Sequence, residues 1–150
     1  MMLINKEWSM KMKLYKFFLV ALVVLAAAGA QAQVAVIANK SVPEESIQIS
    51  KLNDIYSLRQ KTWSNGSIII PVTLKSDNEV SRKFFDAFGM SSMEMKKLWM
   101  RAQLTGEGQP PEGMNSTDEI LDKVASTPGA IGYVEADKVN AKVKVLLTIE

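Results

Sequence analysis

The chain has 150 residues with no Cys and no His, so it has no disulfide or thiolate chemistry and lacks the commonest general base and zinc ligand. Its 18 basic and 16 acidic residues give a net charge of +2, and their interspersion offers no electrostatic case for nucleic acid or an anionic membrane surface. Paired carboxylates or a Ser-Lys dyad need no His, but no suitable carboxylate pair stands out, so the expectation is a non-enzymatic binding protein.

The N-terminal segment reads as a cleavable secretory leader. Lys11, Lys13 and Lys16 form a basic region, Phe17 to Ala28 is almost unbroken apolar sequence, and Ala30-Gln31-Ala32 has the small-x-small cleavage pattern. The apolar run falls short of the roughly 20 residues of a membrane-spanning helix, and no Cys follows it to carry a lipid anchor. An uncleaved N-terminal anchor is the alternative reading. Translation starts at Met1, Met10 or Met12, and the choice leaves the mature protein unchanged. Residues 1–32 are thus expected to be a signal peptide and 33–150 one domain, periplasmic or secreted after cleavage near Ala32. Losing four Lys and one Glu turns the charge from +2 to −1, and the 118 remaining residues suffice for a single modest core.

Val34 to Ala38 is a short β-rich apolar run, bounded by Asn39-Lys40-Ser41 and Pro43, and predicts a buried strand. Ser50 opens a helix carrying Leu52, Ile55 and Tyr56 on one side. Asn65-Gly66 marks a turn, and Ser67 to Val72 a second strand. Three Ser-x-x-Glu patterns follow, each with the form of a capping box: Ser76 to Glu79 before Phe84, Phe85 and Phe88; Ser91 to Glu94 before Met95, Leu98, Trp99 and Ala102; and Ser116 to Glu119 before Ile120, Leu121 and Val124. Gly89 and Thr127-Pro128-Gly129 supply stops. Gly106 to Asn115, rich in Gly and Pro, reads as an irregular surface loop. Ala130 to Val134 and Val143 to Ile149 complete the strands. Alternating strands and helices predict an α/β domain with a mixed sheet.

Val34 to Lys40, Ile49-Ser50-Lys51-Leu52 with Ile55-Tyr56, Trp63 before Gly66, Ile70-Pro71-Val72, and above all Thr127-Pro128-Gly129-Ala130-Ile131-Gly132-Tyr133-Val134 resemble, in order and spacing, the phosphate-binding proteins of ABC importers. Trp99 followed by Gly106-x-Gly108-x-Pro110-Pro111 is similar to the short, single-domain members of that superfamily. The resemblance implies an α/β fold, a single periplasmic-binding-protein-like (type II) lobe with a mixed sheet flanked by helices. It also implies non-covalent capture of phosphate or another small oxyanion, with an ABC permease or another exported protein as partner. No cofactor is implied. A chain of this length supplies about one lobe, hence half a cleft, which a homodimer would complete.

In that family a strand ending in Pro-Val and basic residues runs into Asp-Gly-Ser-Gly-Thr at a helix start, where free amides, hydroxyls and the helix dipole hold phosphate. The matching stretch here is Lys75-Ser76-Asp77-Asn78-Glu79-Val80-Ser81, without the glycines. Lys75, Ser76, Asn78, Ser81 and Arg82 are therefore an altered oxyanion site or, alternatively, an ordinary capped helix with solvated charges. Asn39, Lys40 and Ser41 follow the first strand, where open α/β sheets often border a ligand, or form only a turn. Lys96, Lys97 and Arg101 read as a solvated face. Asp118, Glu119 and Asp122 suit a helix N-terminus better than a cation, so no metal is expected. Met90, Met93 and Met95 read as core, with a partner surface as the alternative. The competing functional expectation is an exported interaction module that keeps the fold but has lost solute binding, using the cleft face or the Gly106–Asn115 loop.

Overall fold

The computed structural model describes residues 6–16 and 32–150. Residues 6–16 form a helix, α1. Ala32–Glu150 form a separate compact unit that holds every core residue among those described, the buried core that a domain needs to fold by itself. The apolar run 17–28 and leader residues 30 and 31 lie outside the described residues. Among the described residues no helix is long and apolar enough to cross a membrane.

Strand β1, Val34–Ala38, is buried at every position, as expected of a central strand. It leads to α2, Ile49–Tyr56, whose N-cap Gln48 makes no side-chain cap bond; the start predicted at Ser50 falls one residue inside the helix. Burying Leu52, Ile55 and Tyr56 against the sheet supplies what the missing cap does not. Leu58 follows at φ 64°, where the turn closes through Arg59 N–H to the Asp54 carbonyl at 2.9 Å.

Strand β2 is Ile70–Leu74, not Ser67 to Val72. Ile68 instead bridges back to Thr62 and is 70% exposed. Helix α3, Glu79–Asp86, and helix α4, Ser92–Thr105, come next. The predicted Ser91–Glu94 capping box is present, with the Ser91 hydroxyl accepting from Glu94 N–H and the Glu94 carboxylate from Ser91 N–H. The segment Gly106 to Asn115 is not wholly irregular: Glu112–Met114 form β3, a three-residue strand parallel to β2. Helix α5, Thr117–Ser126, is capped by Ser116, but the Glu119 carboxylate reaches Asn115 N–H, one residue before the position a capping box requires. Strand β4 is Ala130–Glu135, a 3₁₀ turn follows at Ala136–Lys138, and β5 is Lys144–Ile149.

The five strands make one mixed sheet in the order β3-β2-β4-β1-β5. β2 runs parallel to β3 and β4, and β1 runs antiparallel to both β4 and β5. Helices cover both faces, and adjacent residues of β4 show how. The bare Cα of Gly132 admits α5, since a Cβ there would lie 2.6 Å from Ile120 Cγ2 and 3.2 Å from Val124 Cγ2. Tyr133 points the other way, stacked on Phe84 at 3.9 Å between centroids and edge-on to Tyr56 and Phe85. Such aromatic pairs contribute about 0.5–1.5 kcal/mol each beyond area burial.

Candidate functional site

β2 ends beside β3, and the Lys75 amide still donates to the Met114 carbonyl at 2.9 Å. The chain then turns through Ser76 and Asp77 into α3. From β2 the connection crosses to β3 on one side, and from β4 the chain continues to β5 on the other. The C-terminal end of β2 is thus the switch point where α/β sheets open a crevice, and Lys75 to Arg82 occupy it.

The α3 cap differs from the one read in the sequence. The N-cap is Asn78, not Ser76: the Asn78 carboxamide accepts from Ser81 N–H at 3.0 Å, and the Ser81 hydroxyl accepts from Asn78 N–H at 3.0 Å. The pair forms its own capping box, with Ser81 only 1% exposed and its hydroxyl in reach of the Ser76 carbonyl at 3.2 Å. Ser-x-x-Glu and Asn-x-x-Ser overlap here, and the register of β2 decides between them, because Ser76 sits too close to the strand to begin a helix. Among the described residues no hydrogen bond engages the amides of Glu79 or Val80, the Ser76 hydroxyl or the Lys75 ammonium.

Arg82 is turned onto Asp77, with Nη1 donating to its carbonyl at 3.2 Å and 3.8 Å from its carboxylate. The other Asp77 oxygen accepts the Ser92 hydroxyl at 2.7 Å, tying α4 to the loop. Lys96 brings a second ammonium from α4, donating to the Lys75 carbonyl at 3.2 Å. Beyond the basic helical face, no sequence feature signals this contact. Three cations therefore meet two carboxylates, Asp77 and Glu79. Beneath them, the buried Tyr133 hydroxyl joins Thr73 Oγ1 at 2.9 Å and accepts Leu74 N–H at 3.1 Å. Burial pushes the Tyr133 pKa up to about 12, with a small contribution in the same direction from Asp77, against the lowering by its hydrogen bonds to Thr73 and Leu74. It holds the end of β2 as a neutral phenol.

The structure brings Lys75, Ser76, Asn78, Ser81 and Arg82 together but not Asn39 and Ser41. Because β1 is antiparallel to β4, its C-terminal end lies beside Ala130, where β2 begins. The length of β2, roughly 13–16 Å, separates the two groups. Asn39 Nδ2 donates to the Val124 and Ala125 carbonyls at the end of α5, at 2.8 and 3.0 Å. The Ser41 hydroxyl accepts Gly129 N–H at 3.0 Å, and Lys40 is exposed in the turn. Both polar side chains are committed to backbone. Met95 is buried and Met90 partly so, whereas Met93 is 66% exposed and not core. Among the described residues no group of three acidic side chains could hold a metal ion.

A cavity of about 380 Å³ lies farther along α3, between Glu79, Arg82, Lys83 and Asp86 and the end of β5 at Ile149 and Glu150. Its three side-chain carboxylates, Glu79, Asp86 and Glu150, outnumber the two cations, Arg82 and Lys83, so it suits an oxyanion less well than the open loop at Lys75 and Ser76.

No protein family known from sequence and no curated protein matches the chain. Solved structures do. An ABC-type phosphate transport receptor from Vibrio cholerae superposes with a TM-score of 0.61 at 18% identity, over 77% of this chain and 46% of the receptor. The chain has a periplasmic-binding-protein-like fold. A protein from Clostridium perfringens, described as a phosphate ABC transporter substrate-binding protein and solved with bound phosphate, gives 0.58 at 20% identity over 77% and 45%. A protein from Planctomyces limnophilus, described as a possible phosphate binding protein, gives 0.57 at 14% over 77% and 41%. The chain spans less than half the length of each. Within this periplasmic-binding-protein-like fold, the most distinctive stretch of the sequence, Thr127 to Val134, turns out to be architectural: Gly129 takes φ 80° and its carbonyl accepts both Trp63 Nε1–H and Ile70 N–H.

Proposed function

We propose that the protein is exported, with residues 1–32 as its leader, and captures phosphate or a related oxyanion non-covalently at the start of α3. It performs no chemistry and works with an importer permease in the periplasm or at the cell surface. The carrying observation is the end of β2, where the Glu79 and Val80 amides, the Ser76 hydroxyl and the Lys75 ammonium are all unengaged among the described residues, with the Lys96 ammonium nearby. Amides at a helix N-terminus and a free cation are the usual means of holding an oxyanion. The fold likeness to phosphate-binding proteins supports the same reading.

The second reading is an interaction module that no longer binds solute. It is favoured by the mutual capping of Asn78 and Ser81, which withdraws the Ser81 amide, and by the Glu79 carboxylate in the first turn, where an anion would compete with it. Calorimetry on residues 33–150 with phosphate and sulfate separates the two. Saturable heat at millimolar phosphate, abolished in Lys75→Ala and weakened in Ser76→Ala, supports capture. No heat with any oxyanion sinks it and leaves the interaction module. Light scattering with and without phosphate tests whether a homodimer rebuilds the two-sided cleft.

A further inference from the structure

Helix α4 carries two apolar stripes on opposite sides. Met95, Trp99 and Ala102 are buried against the domain, with Trp99 Nε1 donating to the Tyr56 carbonyl at 2.7 Å. Diametrically across the helix, Met93, Met100 and Leu104 are 66%, 62% and 82% exposed. With Lys97 they recur at spacings of four, three and four residues, a narrow arc of about 60° running roughly 16 Å along the helix. Two-stranded helix seams have this spacing, whereas a helix lying in a bilayer presents a broader apolar face. The residues flanking the seam are Glu94, Lys96, Arg101 and Gln103. Glu94, held by the Ser91 amide, is the one acidic flank against Lys96 and Arg101, and with Lys97 inside it the seam carries three cations to one carboxylate.

We propose that this seam of α4 docks an amphipathic helix of another protein, apolar along its centre and acidic along its edges. Charge selects that occupant: a second copy would bring Lys97 and its cationic neighbours against their own kind. An acidic helix neutralises Lys96, Lys97 and Arg101 while covering Met93, Met100 and Leu104. Lys96 belongs to both the seam's edge and the α3 loop, but Met100 and Leu104 take no part in that loop, so changes at these two positions leave oxyanion capture untouched.

The test uses residues 33–150 and two fluorescent 21-residue helical peptides with Leu along the seam, one with Glu and one with Lys at the flanking positions, read by anisotropy. The acidic peptide should bind and the basic one should not. Met100→Glu or Leu104→Glu, on exposed positions that leave the core intact, should weaken binding at least about tenfold, as truncating an anchor does. Raising salt to about 0.5 M should weaken it further. Equal binding of both peptides, or binding unaffected by either variant, overturns the proposal. So does binding to phosphatidylglycerol-containing vesicles without binding to the acidic peptide, which would identify a lipid surface. A self-association abolished by Leu104→Glu would overturn it in favour of a second copy. Phosphate heats measured on the same variants should be unchanged, which keeps this test distinct from that of the α3 loop.

Discussion

Gly66 and Gly129 share a backbone conformation, φ 84° and 80°, but differ in surroundings, and replacing each with Ala separates conformational from steric effects. At Gly66 an added Cβ meets nothing within 4 Å, whereas at Gly129 it would lie 2.3 Å from the Ile68 carbonyl oxygen, a backbone atom that cannot rotate away. The left-handed conformation costs an L-residue about 1–2 kcal/mol, the whole expected effect of Gly66→Ala. Gly129→Ala must also move the chain by close to 1 Å, straining the bonds from Trp63 Nε1 at 3.0 Å, from Ile70 N–H at 3.1 Å and to Ser41 at 3.0 Å. At about 1 kcal/mol each, the total approaches 4–5 kcal/mol, much of the 5–15 kcal/mol that stabilises a typical domain. The entropy lost from the unfolded chain on adding a methyl is common to both variants and cancels. Urea unfolding followed by tryptophan fluorescence gives the two values, and Trp63 reports the disturbed contact directly. A difference under about 1 kcal/mol would refute the idea that this turn is fixed by close approach.

Tyr133→Phe keeps the stack on Phe84 but leaves Leu74 N–H and the Thr73 hydroxyl without their partner; it should cost about 1–3 kcal/mol, roughly 4 °C of melting temperature per kcal/mol in a domain this size, by calorimetry. Asn78→Gly returns a glycine to the α3 cap at a loss of a few tenths of a kcal/mol and frees the Ser81 amide, so phosphate titration should show tighter binding if capture is the function. Burial acts to raise the pKa of Glu44, but hydrogen bonds from Lys51 and from the Ser64 amide, at 2.9 and 3.1 Å, outweigh it and hold the carboxyl below its ordinary 4.5. A lowered folded value means stabilisation that is complete above the unfolded pKa and lost as pH falls through the folded one. The stability gap between wild type and Glu44→Gln, followed by denaturation across pH, should therefore be flat near neutrality and shrink below pH 4.5.

What could be read from the sequence was local. Ser91 and Glu94 cap α4 because both partners lie within one turn, and the apolar runs of β1 and β4 identify buried strands whatever their direction. Non-local facts escaped. Nothing near Asn39 says that β1 is antiparallel to β4, which places Asn39 and Ser41 at the opposite end of the sheet from Lys75. β3 contributes one apolar residue, Met114, too few to establish a period, and it is a strand only because β2 lies alongside. Met93 and Met95 are two residues apart, about 200° around a helix, so one had to leave the core when the other entered it. The candidate site was legible as a segment, but its charge balance depended on Lys96 arriving from α4.

The placement of β1 sets the order in which the molecule can form. Its partners begin about a hundred residues downstream, Val34 pairing with Glu135 on one side and Ile149 on the other, so neither ladder can start by local zippering. β2, β3 and β4 with their crossover helices close shorter loops and can assemble first, leaving the free edge of β4 for β1, which in turn offers its other edge to β5. A chain delivered N-terminus first therefore holds its most apolar strand unpaired for almost the whole of its emergence. The topology thus makes capture of that strand the expected slow step of folding and the expected interval of greatest exposure to aggregation.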